Sequence, residues 1–521
     1  MDTDVLIVGA GPTGLMLANQ LVRRGVRPLL IDRHGEPARE TRALGVQARS
    51  MEIYAQLGIL ERALELGHKG TGANIWARGK RSARVPIGET GTGATPHPYI
   101  FILGQDDNER IMGEWLRALG GEIRWNTELI AIGQHSDHAQ ATLKLSDGTS
   151  KTIKAAWVAG CDGAHSAVRE LNGIGFPGAP YEHVFFVADV TAEGPMVPGE
   201  LNVFLWQLRF HAFFPMRGEN HWRIVGILPE ALAGKKEVTF EDVLPYLRNE
   251  WSKDIAVKHC SWFSTYRIHH RAAARFRDRR CFLLGDAAHI HSPVGAQGMN
   301  TGLQDSYNLG WKLALVVQGR ALARLLDSYE EERLPVAQRL LETTDRAFRL
   351  VVSDSWLAVL ARTHVVARVA AFVLRFAAAR RFAFRTVSQI GIHYRGSALS
   401  ESMAGVPEDA PRAGDRFPWL KLRLSGGGPV EDLFQKFDDL HFHLLVTGQQ
   451  APTLALPDGL LQVHAIPADA ENDAELARTH IPPMSFYLLR QDGHVGLCGI
   501  VLAPGVVERY FSERLGLAKL Q

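Results

Sequence analysis

Two spacings of apolar residues alternate along this chain. Runs with almost no polar interruption, at Asp4–Val8, Leu29–Ile31 and Cys281–Leu284, predict strands buried on both faces, as in a parallel sheet. The first leads through Gly9-Ala-Gly11-Pro-Thr-Gly14 into a helical pattern carried by Leu15, Leu17 and Leu21. Phe101–Gly120 reads as a helix with Gln105 near its start, and a longer helix runs from about Asn300 to about Gln318. Between these helices the period shortens toward two, around Val184–Val190, Asn202–Phe210, Ala212–Met216, Trp222–Ile227 and Val257–Ile268. That alternation predicts half-buried strands. Gly70–Pro98, rich in Gly, Thr and Pro, reads as strands and loops.

The pattern predicts an α/β chain. A Rossmann-like dinucleotide domain is assembled from residues 1–72, 100–178 and 270–342, and a sheet domain from 73–99 and 179–269 is inserted into it. Residues 343–400 follow as a helical connector with Arg346, Arg349, Arg362, Arg368, Arg375, Arg380, Arg381 and Arg385 and almost no acid. Such a basic helix could touch a membrane or a partner, but a connecting helical pair whose arginines snorkel to solvent is preferred. The last block, 401–521, contains Ser425-Gly-Gly-Gly428. It has strands at Phe442–Val446, Leu461–Ala465 and Tyr487–Leu489, a turn at Gln491-Asp-Gly493 and a terminal helix near Gly505–Leu515.

Three turns carry candidate chemistry. Gly9, Gly11 and Gly14 stand between a strand and a helix, and a second strand ends in Asp32 about eighteen residues after Gly14. This is the full dinucleotide context: glycines for the turn, for pyrophosphate approach and for packing, then an acid for a ribose hydroxyl. At Trp157–Arg169, Asp162-Gly163 makes a turn before a helix opened by Ser166 and Arg169. At Leu284–Ala314, Asp286 sits at a strand's C-terminal end, where α/β sheets bind ligands. Pro293, Gly295 and Gly298 then form a loop poor in side chains, over which a flat ring could lie against backbone. The helix beginning at Asn300 brings partial positive charge to that ring.

Composition sets limits. With 521 residues the chain has room for two or three domains, and a net charge of +2 makes no case for nucleic acid. Cys161, Cys260, Cys281 and Cys498 are scattered, with no metal-type spacing, which favours free thiols in a reducing compartment. His289–His291 lacks further ligands at recognisable spacing, so no metal is expected. A strand starting at Asp4 leaves no room for a signal peptide, and no uncharged stretch reaches membrane-span length. A cytoplasmic enzyme is the expectation.

The order GAGPTG, CDGAHSAVR, LLGDAAHIHSPVGAQGMN closely resembles the FAD-dependent aromatic hydroxylases, the single-component flavoprotein monooxygenases of the para-hydroxybenzoate hydroxylase type. The similarity runs from residue 1 to about 340 and specifies the superfamily but not the substrate. It implies that Gly9, Gly11 and Gly14 hold the pyrophosphate and Asp32 the adenosine ribose. It puts Arg42, in the Arg39–Arg49 stretch, on the FAD diphosphate and Gln105 near the ribityl chain. Asp162 and Gly163 would serve FAD and NAD(P)H, and Asp286 the ribityl chain. Pro293, Gly295, Gly298, Met299 and Asn300 would lie under the isoalloxazine. The last block resembles, in architecture only, the thioredoxin-like C-terminal domain of the longer phenol and polyketide hydroxylases. With Cys498 as its single cysteine, dithiol exchange is excluded and a structural or homodimer-supporting role is expected.

The implied reaction uses NADPH or NADH, FAD and O2 to hydroxylate a phenolic or polycyclic aromatic ring through a flavin C4a-hydroperoxide. Pro293 would stiffen the loop facing that ring. A base within reach would make a phenol more nucleophilic, and His211, Tyr266 and His269 in the inserted sheet are the candidates. The aromatic sheet residues and the lack of a recognisable carboxylate-binding Arg pair favour a bulky or apolar phenol. An epoxidase, halogenase or dehydrogenase on the same fold stays open, although the halogenase Trp-x-Trp-x-x-Ile-Pro stretch is missing. A non-catalytic binding protein of this fold is the remaining reading.

Overall fold

The computed structural model describes residues 1–517 apart from 38–42, 78, 87–89, 207–208, 252–253, 292–295, 353–375, 455 and 458. Arg42, Pro293 and Gly295 lie outside the described residues, as does the centre of the Arg-rich connector, which is flanked by helices Asp327–Val352 and Ala377–Val387.

The first sheet forms around Thr3–Val8, which pairs in parallel with both Pro28–Ile31 and Ser150–Gly160. Cys281–Leu283 adds on the far side of Ser150–Gly160, again in parallel. Val5, Leu6, Ile7, Leu30 and Leu283 are all fully buried, as unbroken apolar runs demand when helices cover both faces. Each such side chain contributes about 1.5–3 kcal/mol on burial. Helix Pro12–Arg23 and helix Gly298–Val317 pack against each other, and Ser306 Oγ donates to the Thr13 carbonyl at 2.7 Å. Both helices therefore begin at the C-terminal edge of this sheet.

The second sheet runs in the order His289–Ile290, Ala256–Ala272, Gly178–Glu193, His221–Ile227, Arg209–Pro215, Leu201–Trp206, Gly72–Ala77, Lys80–Pro86. The Gly- and Thr-rich early segment thus joins strands that follow it by more than a hundred residues. Period-two alternation sorts the side chains. Phe186, Phe213, Trp222 and Ile224 pack beneath helix Phe240–Glu250, against Val243 and Leu247. Val187, Phe214, Arg223, Val225, Trp262 and Tyr266 face the first sheet's glycine turns.

In the last block Phe442–Thr447 pairs in parallel with Leu461–Ile466 and antiparallel with Ser485–Leu489. Ser485–Leu489 pairs antiparallel with Val495–Gly499, a strand hidden in the sequence because VGLCG carries two glycines. Helix Ala470–Arg478, also unforeseen, connects Leu461–Ile466 to Ser485–Leu489. The core of this block is continuous with the rest, since Trp311 and Leu315 of helix Gly298–Val317 pack among Phe442, Leu488 and Phe511. No helix among the described residues is long and apolar enough to cross a membrane.

Candidate active site

The loop after the first strand is shaped by close backbone approach. Gly9 has φ +102°, and a Cβ there would overlap the Cys161 carbonyl; a Cβ on Gly14 would overlap the Gly9 carbonyl. Among the described residues, a Cβ on Gly11 would meet nothing within 4 Å, so this position is open to a group that must come close to backbone. Asp32 accepts the Ala10 amide at 2.7 Å and the His34 amide at 2.8 Å, so its carboxylate braces the loop from behind.

Asp162 is turned inward, away from the cavity. Its carboxylate accepts from Ser166 Oγ at 2.5 Å and the Val168 amide at 3.2 Å, and burial pushes its pKa above the ordinary value. Gly163, not Asp162, borders the cavity. Asp286 is exposed and lines the cavity after the tight Gly285 turn at φ +58°.

Behind that turn stands a cluster that local sequence does not reveal. Asp305 accepts from the Gly285 amide at 3.0 Å, His289 Nε2 at 2.8 Å and Arg333 Nε at 2.6 Å. Arg333 also donates to the Thr301 carbonyl and the Tyr394 hydroxyl. Burial alone would raise the Asp305 carboxyl, but Arg333 and His289 outweigh it and hold it below the ordinary range.

Helix Gly298–Val317 starts at the cavity, with Gly298 and Met299 in the lining. Its first-turn N–H groups have no partner within the helix and lend that end positive potential. Asn300 is fully buried and does not face the cavity: its side chain donates to the Gly45 and Ala296 carbonyls and accepts the Gln47 amide at 2.8 Å. It staples the helix start to Ala43–Gly45, which also border the cavity. Gln105 lines it too, while donating to Glu109 at 2.9 Å.

The cavity has a volume of about 660 Å³, with the glycine turns on one side and the second sheet on the other. A second cavity of about 640 Å³ lies beyond the glycine loop, bordered by Ala10, Pro37, Asp106, Arg110 and Trp125. The two linings meet in sequence at the glycine loop, Ala10 bordering the second cavity and Gly11 the first. The described residues contain no cluster of His, Cys, Asp or Glu able to hold a metal ion.

Of the three base candidates, two are misplaced. His211 shares the Phe213 face and is buried between the rings of Phe186 and Trp251, each 6.0 Å away. His269 falls out of the alternation that brings Trp262, Ser264 and Tyr266 to the cavity, and is not part of its lining. Tyr266 does line it, but burial pushes its hydroxyl up to about 12. At neutral pH it is a hydrogen-bond donor rather than a base. Sequence reasoning missed Arg223, which lines the cavity and is gripped by Asp189 on the neighbouring strand. An Arg and an Asp 34 positions apart are linked only by strand register.

The family of FAD binding domains matches residues 2–344. Rifampicin monooxygenase of Streptomyces venezuelae is 36% identical over 396 residues, 75% of this chain and 79% of that one. Pentachlorophenol 4-monooxygenase of Sphingobium chlorophenolicum is 33% identical over 503 residues, 94% and 86% of the two chains. The chain belongs to the FAD-dependent aromatic monooxygenases. A ternary complex of aklavinone-11 hydroxylase with FAD and aklavinone superposes on this monooxygenase with a TM-score of 0.81 at 25% identity, covering 99% of both chains. FAD is its cofactor, and the site suits that molecule: cavities border the glycine loop at Ala10 and at Gly11, and a 20-residue helix starts at the one that Gly11 lines.

Proposed function

We propose that this monooxygenase hydroxylates a bulky phenolic or polycyclic aromatic substrate, consuming NADPH or NADH and O2, within the cavity between the glycine turns and the inserted sheet. The observation that carries the proposal is that one cavity is walled by Gly11, Gly163, Asp286 and Gly298 on one side and by Phe214, Val225, Trp262 and Tyr266 on the other. Relatives named for rifampicin and pentachlorophenol support a large or apolar phenol.

FAD, when bound and reduced, supplies the activation of dioxygen. The remaining work falls to the chain's own groups. Gly11 admits the diphosphate to backbone while Gly9 and Gly14 let the loop pack closely enough to present it, and Asp32 offers the adenosine ribose the lone pairs left by Ala10 and His34. Asp286 accepts a ribityl hydroxyl and Gln105 borders the same chain. The N–H groups opening helix Gly298–Val317 stabilise negative charge on the ring. Arg42, Pro293 and Gly295 keep the diphosphate and ring-facing roles that the resemblance implies. The apolar sheet face orients the substrate and excludes water, and the neutral Tyr266 hydroxyl donates to a substrate oxygen.

The domain division at 1–72, 100–178 and 270–342 against 73–99 and 179–269 is supported by strand membership in the two sheets. A thioredoxin-like fold for 401–521 is supported by the parallel pair at Phe442–Thr447 and the antiparallel hairpin that follows. Cys498, buried and isolated, fits a structural role.

Purified protein is expected to be yellow. Phenols that bind should stimulate NAD(P)H oxidation and gain one oxygen atom derived from labelled O2; oxidation without oxygen incorporation would overturn the proposal. Asp286→Ala should fold but lose about ten- to a hundredfold in FAD affinity, the cost of about 1.5–3 kcal/mol for one lost hydrogen bond to a charged group. Stoichiometric flavin in that variant would remove Asp286 from the site.

A further inference from the structure

Three neighbouring positions on adjacent strands build one unit on the cavity face of the second sheet. Asp189 is the cross-strand partner of Arg223 on one side and of Trp262 on the other. Arg223 Nε donates to one Asp189 oxygen at 2.7 Å and Nη2 to the other at 2.6 Å, a two-pronged pair with both side chains largely shielded, 2% and 13% exposed. The guanidinium carbon lies 5.2 Å from the centre of the Trp262 ring. Among the described residues, Arg223 is the one cation in the cavity lining, and the other formally charged side chain there is Asp286, an acid.

An arginine in an aromatic pocket invites the assignment of a carboxylate anchor. Here its charge is already met in bidentate geometry by a fixed carboxylate, the arrangement such an anchor would offer its ligand. An incoming aromatic carboxylate would lose its hydration without gaining an uncompensated cation, and would meet the Asp189 carboxylate paired to Arg223 as a like charge. A neutral ring with hydroxyl or carbonyl oxygens meets neither cost. We infer that the chamber selects neutral aromatic substrates and rejects aromatic carboxylates, with Asp189 the specificity-determining residue because it neutralises Arg223. The inference rests on the reading of this cavity as the substrate chamber.

The test reads binding alone, in oxidised holoenzyme without NAD(P)H, by the change in flavin absorbance on titration. Two probes share one phenolic ring system: 3-hydroxy-2-naphthamide, neutral, and 3-hydroxy-2-naphthoate, anionic. Wild type is expected to bind the amide at least tenfold more tightly. Asp189→Asn uncovers the Arg223 charge while keeping the side-chain shape, and should shift the amide-to-carboxylate preference by at least tenfold toward the carboxylate. The double variant Asp189→Leu/Arg223→Met carries no charge to uncover and should retain the wild-type preference.

Equal or tighter carboxylate binding by wild type overturns the inference and leaves the hydroxylase reading standing, whether or not either variant folds. An unchanged preference in folded, flavin-loaded Asp189→Asn removes Asp189 from the specificity role. Failure of wild type to bind either probe overturns the assignment of the chamber, and the inference with it.

Discussion

Replacing Asp305 with alanine is expected to strip FAD from the enzyme and to cost about 3–5 kcal/mol of stability, the range for removing one partner of a buried ion pair. The Asp305 carboxylate is buried and serves three donors at once: the Gly285 amide, His289 Nε2 and Arg333 Nε. Without it, the Arg333 guanidinium stays fully buried and, among the described residues, keeps the Tyr394 hydroxyl and the Thr301 carbonyl as partners. Burial works to lower the Arg333 pKa, and Tyr394 and Asp305 together hold it above the ordinary value, so the variant loses one of the two groups that keep this charge in place. The Gly285 turn that presents Asp286 loses its anchor in the same step. Flavin-to-protein absorbance of the purified variant and its urea unfolding measure the two effects. Wild-type flavin content with wild-type stability would show that the Gly-Asp turn holds itself.

Glu332→Ala is expected to loosen the last block from the nucleotide domain, again at a cost of about 3–5 kcal/mol. Glu332 is completely buried and accepts from Lys312 Nζ at 2.7 Å, Arg490 Nη1 at 2.6 Å, Asn308 Nδ2 at 2.6 Å and Ser397 Oγ at 2.7 Å. Arg490 comes from the hairpin whose Asp492 also accepts from Trp311 and whose main chain holds Arg49, so one carboxylate ties three parts of the chain together. Burial would raise the Glu332 pKa, but Arg490 and Lys312 outweigh it and hold it well below its ordinary 4.5. A carboxyl depressed in the folded state contributes stability that is fully present above about 4.5 and lost as pH falls toward the folded value. Wild type should therefore weaken below about pH 4.5, and Glu332→Gln should lose part of that acid dependence. Lys312, already lowered to about 8 by burial, loses its nearest anion in either variant. Urea unfolding across this pH range, with limited proteolysis of the 343–400 connector, measures the effect. Unaltered stability and proteolysis in Glu332→Ala would show that apolar packing around Trp311 suffices to dock the block.

Features set by a few consecutive residues were legible in the chain. Gly9, Gly11 and Gly14 could be read because each answers a local demand: a positive φ, open space, or backbone packed on backbone. The buried strands could be read because unbroken apolar runs have few other homes, and the inserted sheet because period two is a local property. Facing was harder. Alternation says that His211 and Phe214 point opposite ways, but not which of them meets the cavity; helix Phe240–Glu250, packed beneath Phe213, decides that. The sequence places Asn300 near the helix start but not the direction of its side chain, which is taken by Gly45 and Gln47, some 250 positions away.

By itself, then, the sequence determined the nucleotide fold, the order of its glycine turns and the family, because those rest on short-range steric rules and on motif spacing. Tertiary structure alone decided which polar groups are spent in pairing: Asp189 with Arg223, Asp305 with His289 and Arg333, Glu332 with Lys312 and Arg490. A charge can be buried only where an opposite charge is brought to it. Residues 16, 20, 28, 34 or 158 positions apart meet only through strand register and helix packing, which no local pattern encodes.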